Sequence, residues 1–277
     1  TQPVPSHPNL RLRALSIERP EGPIPIWHLR QDDQENRPLV LYAHAHGGRY
    51  EIGKSEILEG RPALQQPPLG TALAEAGYNV VCWDARSFGA RRSMKESVWT
   101  KAALWQGRAP WGLMLEDAEQ VLSWALAEDG IDPHRTAAVG LSMGALLALW
   151  LTAIDPRIGV CVELCCLANI KDLVTTGDHD RHAPYFMVPG WLEHGDSLDL
   201  CRLVAPRPHL VCAGAKDLLT PAVSLASIDS QMAAHYEALG QAERWKMLVE
   251  SEFGHQESPA HRANVRHFLD QFLRDAS

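Results

Sequence analysis

The stretch that decides the fold is residues 136–154, TAAVGLSMGALLALWLTAI. Residues 136–141 form a short apolar run typical of a buried strand. Residues 143–154 are apolar on nearly all sides, as in a buried helix. Between them, Gly140-Leu141-Ser142-Met143-Gly144 has the form Gly-x-Ser-x-Gly. At such a motif a sharp turn from strand to helix strains the serine backbone and lifts its hydroxyl above the sheet, so we predict that Ser142 is a nucleophile.

Outward from this stretch, strand-like runs alternate with helical patterns. Strands are predicted at 11–18, 24–30, 38–44, 79–84, 136–141, 159–164, 209–213 and 244–250, and helices at 70–77, 116–128, 143–154, 222–239 and 260–273. Continuous apolar strands that alternate with helices indicate an α/β fold, with a mostly parallel sheet covered by helices on both faces.

Two stretches do not fit this alternation and are predicted to be irregular. Residues 86–112 contain Trp99, Trp105 and Trp111 among basic and small residues, and these rings could be packing anchors or pocket walls. Residues 168–200 are rich in Gly, Pro, His and Asp, and long segments of this kind are usually functional loops. We expect one domain over residues 1–277, with 168–200 inserted as a small cap of short helical turns.

Composition excludes several classes of protein. The 277 residues are 45% hydrophobic and 22% charged, an ordinary globular balance, and the length is near the roughly 200–250 residues common for single α/β domains. No apolar run approaches the roughly 18 residues that a transmembrane helix needs. The net charge of −8 offers no electrostatic footprint for nucleic acid or an anionic membrane. We therefore expect neither as a partner.

The cysteines and histidines do not indicate a metal site. The six cysteines form no pair of CxxC motifs, and Asp178-His179-Asp180-Arg181-His182 fits no standard ligand spacing. Residues 1–9 are polar and lack the apolar core of a signal peptide. We expect no metal, no cofactor, free thiols and a cytoplasmic location.

The partners of Ser142 are sought in the chain order serine, acid, histidine. Asp217 comes just after the strand at 209–213, and His255 follows the strand that ends at residue 250. Both are expected on the same rim as Ser142, with His255 as general base and Asp217 orienting its imidazole. The alternative acids, all in the irregular segment, are Asp172, Asp178 and Asp196. Four other histidines are read as surface or helix-packing residues: His209, His235, His261 and His267.

The oxyanion of the reaction needs backbone N–H donors. One is expected from Met143, directly after the nucleophile, and the other from the loop His44-Ala45-His46-Gly47-Gly48-Arg49. We favour the N–H of His46, with Gly47, Gly48 and Arg49 as alternatives. The ring of His44 is expected to brace this loop with a hydrogen bond.

These motifs resemble the α/β-hydrolase superfamily, in particular the branch of dienelactone hydrolases, acetyl xylan esterases and related bacterial esterases. The resemblance covers about residues 39–273 and rests on HAHGG (44–48), WDARSFG (83–89), GLSMG (140–144), AGAKDLLTP (213–221) and FGH (253–255). It implies an eight-stranded, mostly parallel sheet and ester hydrolysis by a triad. Ser142 stands where dienelactone hydrolases have Cys, and Ala145 where acetyl xylan esterases often have Gly.

Together these residues predict a serine hydrolase that cleaves a small-molecule carboxylic ester through an acyl-enzyme. A peptidase or amidase, a thioesterase and a C–C bond hydrolase remain alternatives. A non-catalytic binding protein on this scaffold typically lacks a triad member, whereas all three residue types are present here. Gly47, Tyr185, Phe186 and Trp191 are expected to contact substrate and to favour compact acyl groups. Asp84 and Arg86 are expected to pair and hold the loop after their strand.

Overall fold

A nine-stranded sheet runs through the protein, of which the computed structural model describes residues 1–33 and 35–274. Its strands are β1 (Gln2–Val4), β2 (His7–Ile17), β3 (Ile24–Gln31), β4 (Arg37–Ala43), β5 (Asn79–Trp83), β6 (Ile131–Leu141), β7 (Val160–Leu164), β8 (His209–Gly214) and β9 (Trp245–Glu250). The helices are α1 (Glu56–Glu59), α2 (Leu69–Glu75), α3 (Glu96–Trp105), α4 (Pro110–Ala125), α5 (Met143–Ile154), α6 (Ile170–Thr176), α7 (Ser197–Val204), α8 (Ala222–Ala238) and α9 (Pro259–Leu273).

The strand order is β1-β2-β3-β5-β4-β6-β7-β8-β9. The first three strands pair antiparallel with their neighbours, and the six from β5 to β9 in this order are parallel. The predicted mostly parallel sheet with helices on both faces is confirmed. The sheet has nine strands rather than the eight that the resemblance implies. The additional strand is β1, whose three residues pair with β2 and show no strand-like alternation in the sequence.

Both faces of the sheet are buried, which explains the uninterrupted apolar runs. On β4, Val40 and Tyr42 face a core built with α2 and α9. The intervening Leu39 and Leu41 face the opposite core, which is built with α4 and α5. Because alternate residues of a strand point to opposite faces, each needs an apolar environment of its own.

Residues 86–112 are more regular than predicted. Helix α3 and the first turn of α4 lie there, and Pro110 occupies the start of α4, where a missing N–H costs nothing. Trp111 is fully buried, and Trp99 is nearly so, whereas Trp105 is 91% exposed. Helix α4 begins six residues before the predicted start at residue 116, and its first turn contains Pro110 and Gly112, which weaken a helical pattern.

Residues 168–200 consist of short helical pieces. Helix α6 is followed by 3₁₀ turns at 178–181, 184–186 and 191–193 and by the start of α7. Gly177 takes a left-handed conformation that ends α6, and Gly190 takes one directly before the turn at 191–193. Asp196 caps α7, where its side chain accepts hydrogen bonds from the N–H groups of Ser197, Ile170 and Lys171.

Two histidines predicted at the surface or against helices need comment. His209 lies fully buried within β8 and donates from Nε2 to the carboxylate of Glu163 on β7, so its assignment to the surface or a helix contact was wrong. His261 is buried in the first turn of α9, where Nδ1 accepts from the N–H of Ser258.

All six cysteines are free thiols. No helix in the described part of the chain is long and apolar enough to cross a membrane.

Candidate active site

Ser142 lies at the sharp turn between β6 and α5. Its φ of 56° and ψ of −118° are unusual for a residue with a side chain, and its N–H donates to the carbonyl of Leu164 at 2.8 Å. A Cβ on Gly144 would lie 1.9 Å from the carbonyl oxygen of Ala43, and one on Gly140 would lie 2.3 Å from the backbone of Gly144. Gly144 is required because the start of α5 packs directly against the end of β4, and Gly140 because the end of β6 packs against the start of α5.

Ser142, His255 and Asp217 form one hydrogen-bonded line. The Ser142 hydroxyl is 2.8 Å from Nε2 of His255, and Nδ1 of His255 is 2.7 Å from Oδ2 of Asp217. With the hydroxyl and Nδ1–H as donors, both bonds are satisfied. The other carboxylate oxygen of Asp217 accepts from the N–H of Leu219 at 2.9 Å. The structure thus brings together the three residues predicted from the sequence.

The loops after β8 and β9 hold Asp217 and His255 in place. Backbone N–H groups of Ala215 and Lys216 donate to Glu250 and Phe253 at 2.9 Å. The alternative acids lie elsewhere: Asp178 pairs with Arg181, and Asp196 caps α7.

The loop after β4 is fixed by a buried ion pair that the sequence analysis missed. Glu56 contacts Arg61, and it accepts hydrogen bonds from the Tyr42 hydroxyl at 2.8 Å and the Ala45 N–H at 3.1 Å. Arg61 in turn donates to the carbonyl of Ala45 at 2.7 Å. Burial raises the pKa of Glu56, whereas the Arg61 cation lowers it. The two residues are five apart, a spacing that does not share a helix face, and the chain turns at Gly60 between them, so no helical pattern reveals this contact.

His44 braces the same loop, as predicted. Its Nδ1–H donates to the carbonyl of Ala45 at 3.0 Å, and its Nε2 accepts from the N–H of Ala85 at 3.1 Å. Burial lowers the pKa of His44 to about 4, so the ring is neutral near pH 7 and can act as donor and acceptor at once.

The ring of His46 links this loop to α3 and to the cap segment. Nδ1 accepts from the N–H of Gly48 at 3.0 Å, which leaves the proton on Nε2 for the bond to Glu96 at 2.6 Å. The same ring is stacked on Tyr185, with the ring planes 8° apart and the centroids 5.3 Å apart. One imidazole therefore fixes the turn, the start of α3 and a wall of the site.

A cavity of about 50 Å³ lies at the Ser142 hydroxyl. Its lining residues are Ser142, Met143, Leu146, Cys165, Cys166, His182, Ala183, Tyr185, Phe186, Leu219, Thr220 and His255. Tyr185 and Phe186 were predicted from the sequence, whereas the cysteines, Leu219 and Thr220 were not singled out. The buried position of His182 lowers its pKa.

Two residues predicted to contact substrate do not line this cavity. The ring of Trp191 packs on Trp150, with centroids 4.6 Å apart, because the 3₁₀ turn directs it toward α5. Gly47 lies against Arg61, where an added Cβ would be 2.6 Å from a guanidinium nitrogen. The structure therefore places both residues away from the lining of this cavity.

Asp84 and Arg86 do not pair with each other, contrary to the prediction. The enclosed carboxylate of Asp84 contacts Nζ of Lys54 at 2.6 Å and accepts from the N–H groups of Lys54 and Ala90 at 2.8 Å. Arg86 instead contacts Asp117 on α4.

Among the described residues, one group of potential metal ligands lies close together, namely Cys161, Glu163 and His209. Two of its members, Glu163 and His209, are hydrogen-bonded to each other.

A mostly parallel sheet with helices on both faces and a serine at the turn after a central strand define the α/β-hydrolase fold. Comparison with known proteins agrees. YtaP of Bacillus subtilis (strain 168), provisionally described as a hydrolase, is 38% identical over 236 residues, which cover 85% of this chain and 79% of YtaP. No family model matches the chain.

Two solved structures illustrate the shared fold. An acetyl xylan esterase from Paenibacillus sp. R4 superposes with a TM-score of 0.68 at 15% identity, covering 99% of this chain and 87% of that one. A cold-adapted esterase from an Arctic intertidal metagenomic library superposes with a TM-score of 0.62 at 20% identity, covering 96% and 95%. The chain belongs to the α/β-hydrolase superfamily and is a hydrolase of the same family as YtaP.

Proposed function

We propose that the protein hydrolyses a carboxylic ester of a small acyl group through an acyl-enzyme on Ser142. The observation that carries this proposal is the hydrogen-bonded line from Asp217 through His255 to Ser142, with distances of 2.7 and 2.8 Å. The ester chemistry is also supported by the esterases that share the fold.

In the proposed reaction, His255 takes the proton of the Ser142 hydroxyl as the oxygen attacks the ester carbonyl. Asp217 holds the imidazole in the required tautomer and stabilises the imidazolium that forms. When the tetrahedral intermediate collapses, His255 gives the proton to the departing alcohol. A water activated by the same imidazole then releases the acid and restores the free serine.

We assign the oxyanion to the N–H groups of Met143 and His46. The first residue of a helix has no acceptor within that helix, which leaves the Met143 N–H available. In the loop after β4, the N–H of Ala45 donates to Glu56, that of Gly48 to the His46 ring, and that of Arg49 to the carbonyl of His46. Of residues 45–49, this leaves the N–H groups of His46 and Gly47 without an acceptor in the described chain, so Gly48 and Arg49 become weaker candidates and Gly47 stays the alternative to His46.

The size of the cavity supports a compact acyl group. A single water needs about 10–15 Å³ by a comparable measure, so about 50 Å³ accommodates only a few heavy atoms. Tyr185 and Phe186 form its wall on the side of residues 168–200. We propose that this segment is a cap that limits the length of the acyl chain.

A fluorophosphonate probe and a panel of substrates test this function. The wild-type protein should be labelled, and it should turn over nitrophenyl acetate faster than nitrophenyl esters of longer acids. Matched acetyl thioester and acetyl anilide substrates separate an esterase from a thioesterase and an amidase. Absence of labelling together with absence of turnover on every ester would reject the proposal.

A further inference from the structure

A second cavity, of about 370 Å³, lies between the β2–β3 turn, the loop after β5 and helix α3. It is larger than the cavity at Ser142, and its lining shares no residue with that site. Its walls combine two guanidinium groups, Arg86 and Arg91, with the apolar surfaces of Pro23, Met94 and Trp99.

The charges around this cavity leave one positive charge uncompensated. Arg86 and Arg91 both contact the same carboxylate, that of Asp117, at 3.1 and 2.8 Å. Glu21, which also lines the cavity, lies 3.8 Å from Arg19. The three charged lining residues, Arg86, Arg91 and Glu21, together with their partners Asp117 and Arg19, thus carry a net charge of +1. Both lining guanidinium groups are also largely buried, with 16% and 11% of their side chains exposed, so solvent screens them less than surface charges.

The guanidinium groups keep donors that the described chain does not use. Arg91 donates from Nη1 to Asp117 and to the carbonyl of Asp84, and no acceptor within the described residues contacts its Nη2. Arg86 donates from Nη2, and its Nη1 likewise has no acceptor there. Arginine donors of this kind match the oxygens of a carboxylate.

Ser87, which follows Arg86 and also lines this cavity, has an unusual backbone. Three residues other than glycine have positive φ in the described chain, namely Ser87, Ser142 and Cys165. The last two line the cavity of the candidate active site, and Ser87, with a φ of 71°, lines the second cavity. Strained residues concentrate at functional sites. The Ser87 hydroxyl and the Trp99 indole N–H are, moreover, buried donors without a partner among the described residues.

We propose that this second cavity binds a small monocarboxylate with a flat apolar body, at a site separate from Ser142. The single uncompensated positive charge selects a monoanion. The unused N–H groups of Arg86 and Arg91 bind its carboxylate, and Pro23, Met94 and Trp99 pack on its apolar body. This site does not depend on the chemistry proposed for Ser142.

Benzoate is the probe that tests this site, and the nine tryptophans provide the readout. In the intact ¹⁵N-labelled protein, the indole signal of Trp99, assigned with Trp99→Phe, should shift and saturate as benzoate is added. The indole signal of Trp105, exposed on the same helix, should not move. Neutral benzamide, which has the same ring, should cause no comparable shift.

Arg86→Gln should weaken benzoate binding by about 10- to 100-fold, the range for loss of a hydrogen bond to a charged group. Arg108→Gln, which removes a surface arginine paired with Glu116 outside the cavity, is the matched control and should bind normally. Should Arg86→Gln fail to fold, Trp99→Phe measured by calorimetry replaces it and should also bind more weakly. Ser142→Ala should bind benzoate like the wild type.

Four results would overturn the proposal. The first is a Trp99 signal that does not move when benzoate is added, and the second is a response to benzamide as large as the response to benzoate. The third is wild-type affinity for benzoate in both the Arg86 and the Trp99 variants. The fourth is loss of benzoate binding in Ser142→Ala. The last result would place the carboxylate in the Ser142 cavity, and it would leave the proposed esterase activity untouched.

Discussion

At the scale of single residues, the site depends on the strained backbone of Ser142 and on the hydrogen bond between His255 and Asp217. Ser142 has a positive φ that costs free energy, of the order of 1–3 kcal/mol for such outliers. This backbone conformation places the Ser142 hydroxyl at the start of α5, 2.8 Å from Nε2 of His255. The strain is consistent with the role that we propose for this residue.

Asp217→Asn tests the role of the acid. The variant should remain folded but lose turnover by about four orders of magnitude, because the amide favours the wrong imidazole tautomer. Steady-state hydrolysis of nitrophenyl acetate measures the effect. Asp178→Asn, which removes a surface carboxylate paired with Arg181, is the matched control. Normal turnover in Asp217→Asn, with a large loss in a variant of Asp172, Asp178 or Asp196, would reassign the acid.

Sequence was sufficient to place Ser142, Asp217 and His255 on one rim, because each follows the carboxyl end of a parallel strand within a short loop. The carboxyl ends of such strands meet at one edge, so strand prediction alone brings these residues together. The direction of a long side chain does not follow from strand order. Trp191 turned toward Trp150, and Asp84 turned toward Lys54, because tertiary packing decided both.

At the scale of elements, the contact between α5 and β4 positions the proposed oxyanion donors. Gly144→Ala would place a methyl group 1.9 Å from the carbonyl oxygen of Ala43, so the helix start must shift. We expect a loss of about 1–3 kcal/mol in the free energy of unfolding, together with a large loss of turnover. Urea unfolding and ester hydrolysis measure the two effects.

Gly112→Ala is the control for this substitution. Gly112 lies in α4, and an added Cβ would meet nothing within 4 Å. Alanine there should stabilise the protein by about 0.5–1 kcal/mol and leave turnover unchanged. If both alanine variants behaved alike, the close approach of α5 to β4 would not be the reason for the glycine.

The cap segment, residues 168–200, is the element that we expect to set the acyl preference. Phe186→Ala removes part of the cavity wall, and relative kcat/KM for longer acyl groups should rise by roughly tenfold or more over acetate. Trp191→Ala changes an aromatic of the same segment that does not line the cavity, and it should leave the ranking of nitrophenyl esters unchanged. An unchanged ranking of acyl esters in Phe186→Ala would contradict this role for the cap segment, and the tryptophans of residues 99–111 would then be the better candidates for setting the preference.

Which turns of this segment face the site was beyond sequence reasoning. Its glycines and prolines predict short pieces, but several folded arrangements of short pieces satisfy the same pattern. The ion pair of Glu56 and Arg61 is a similar case, because it depends on how the chain turns at Gly60, just after α1. The mostly parallel sheet, by contrast, follows from the alternation of strands with helices, and the predicted fold class is confirmed.

At the scale of the whole molecule, buried histidines couple stability to pH. Burial lowers the pKa of His44 to about 4 and also lowers the pKa of His28 and His261. Between the unfolded value near 6.5 and the folded value, the unfolded chain binds more protons. Stability is therefore lost as the pH falls below about 6.5.

The shifted pKa of His44 alone lowers the free energy of unfolding by about 2 kcal/mol between pH 7 and pH 5. Urea unfolding of the wild type and of His44→Asn at both pH values measures it. The loss of stability on acidification should be smaller in the variant by roughly this amount. Equal losses in the two proteins would show that His44 is not held neutral in the fold.

The central claim is that Ser142 carries the acyl group during turnover. Nitrophenyl acetate is mixed with excess enzyme, the reaction is stopped with acid within the first turnover, and digested peptides are analysed by mass spectrometry. We predict one added acetyl group, on the peptide that contains Ser142, and no acetyl group in Ser142→Ala, whose turnover falls by about three orders of magnitude or more. Acetyl on another residue of the wild type, or Ser142→Ala retaining more than roughly a tenth of the activity, would contradict the account.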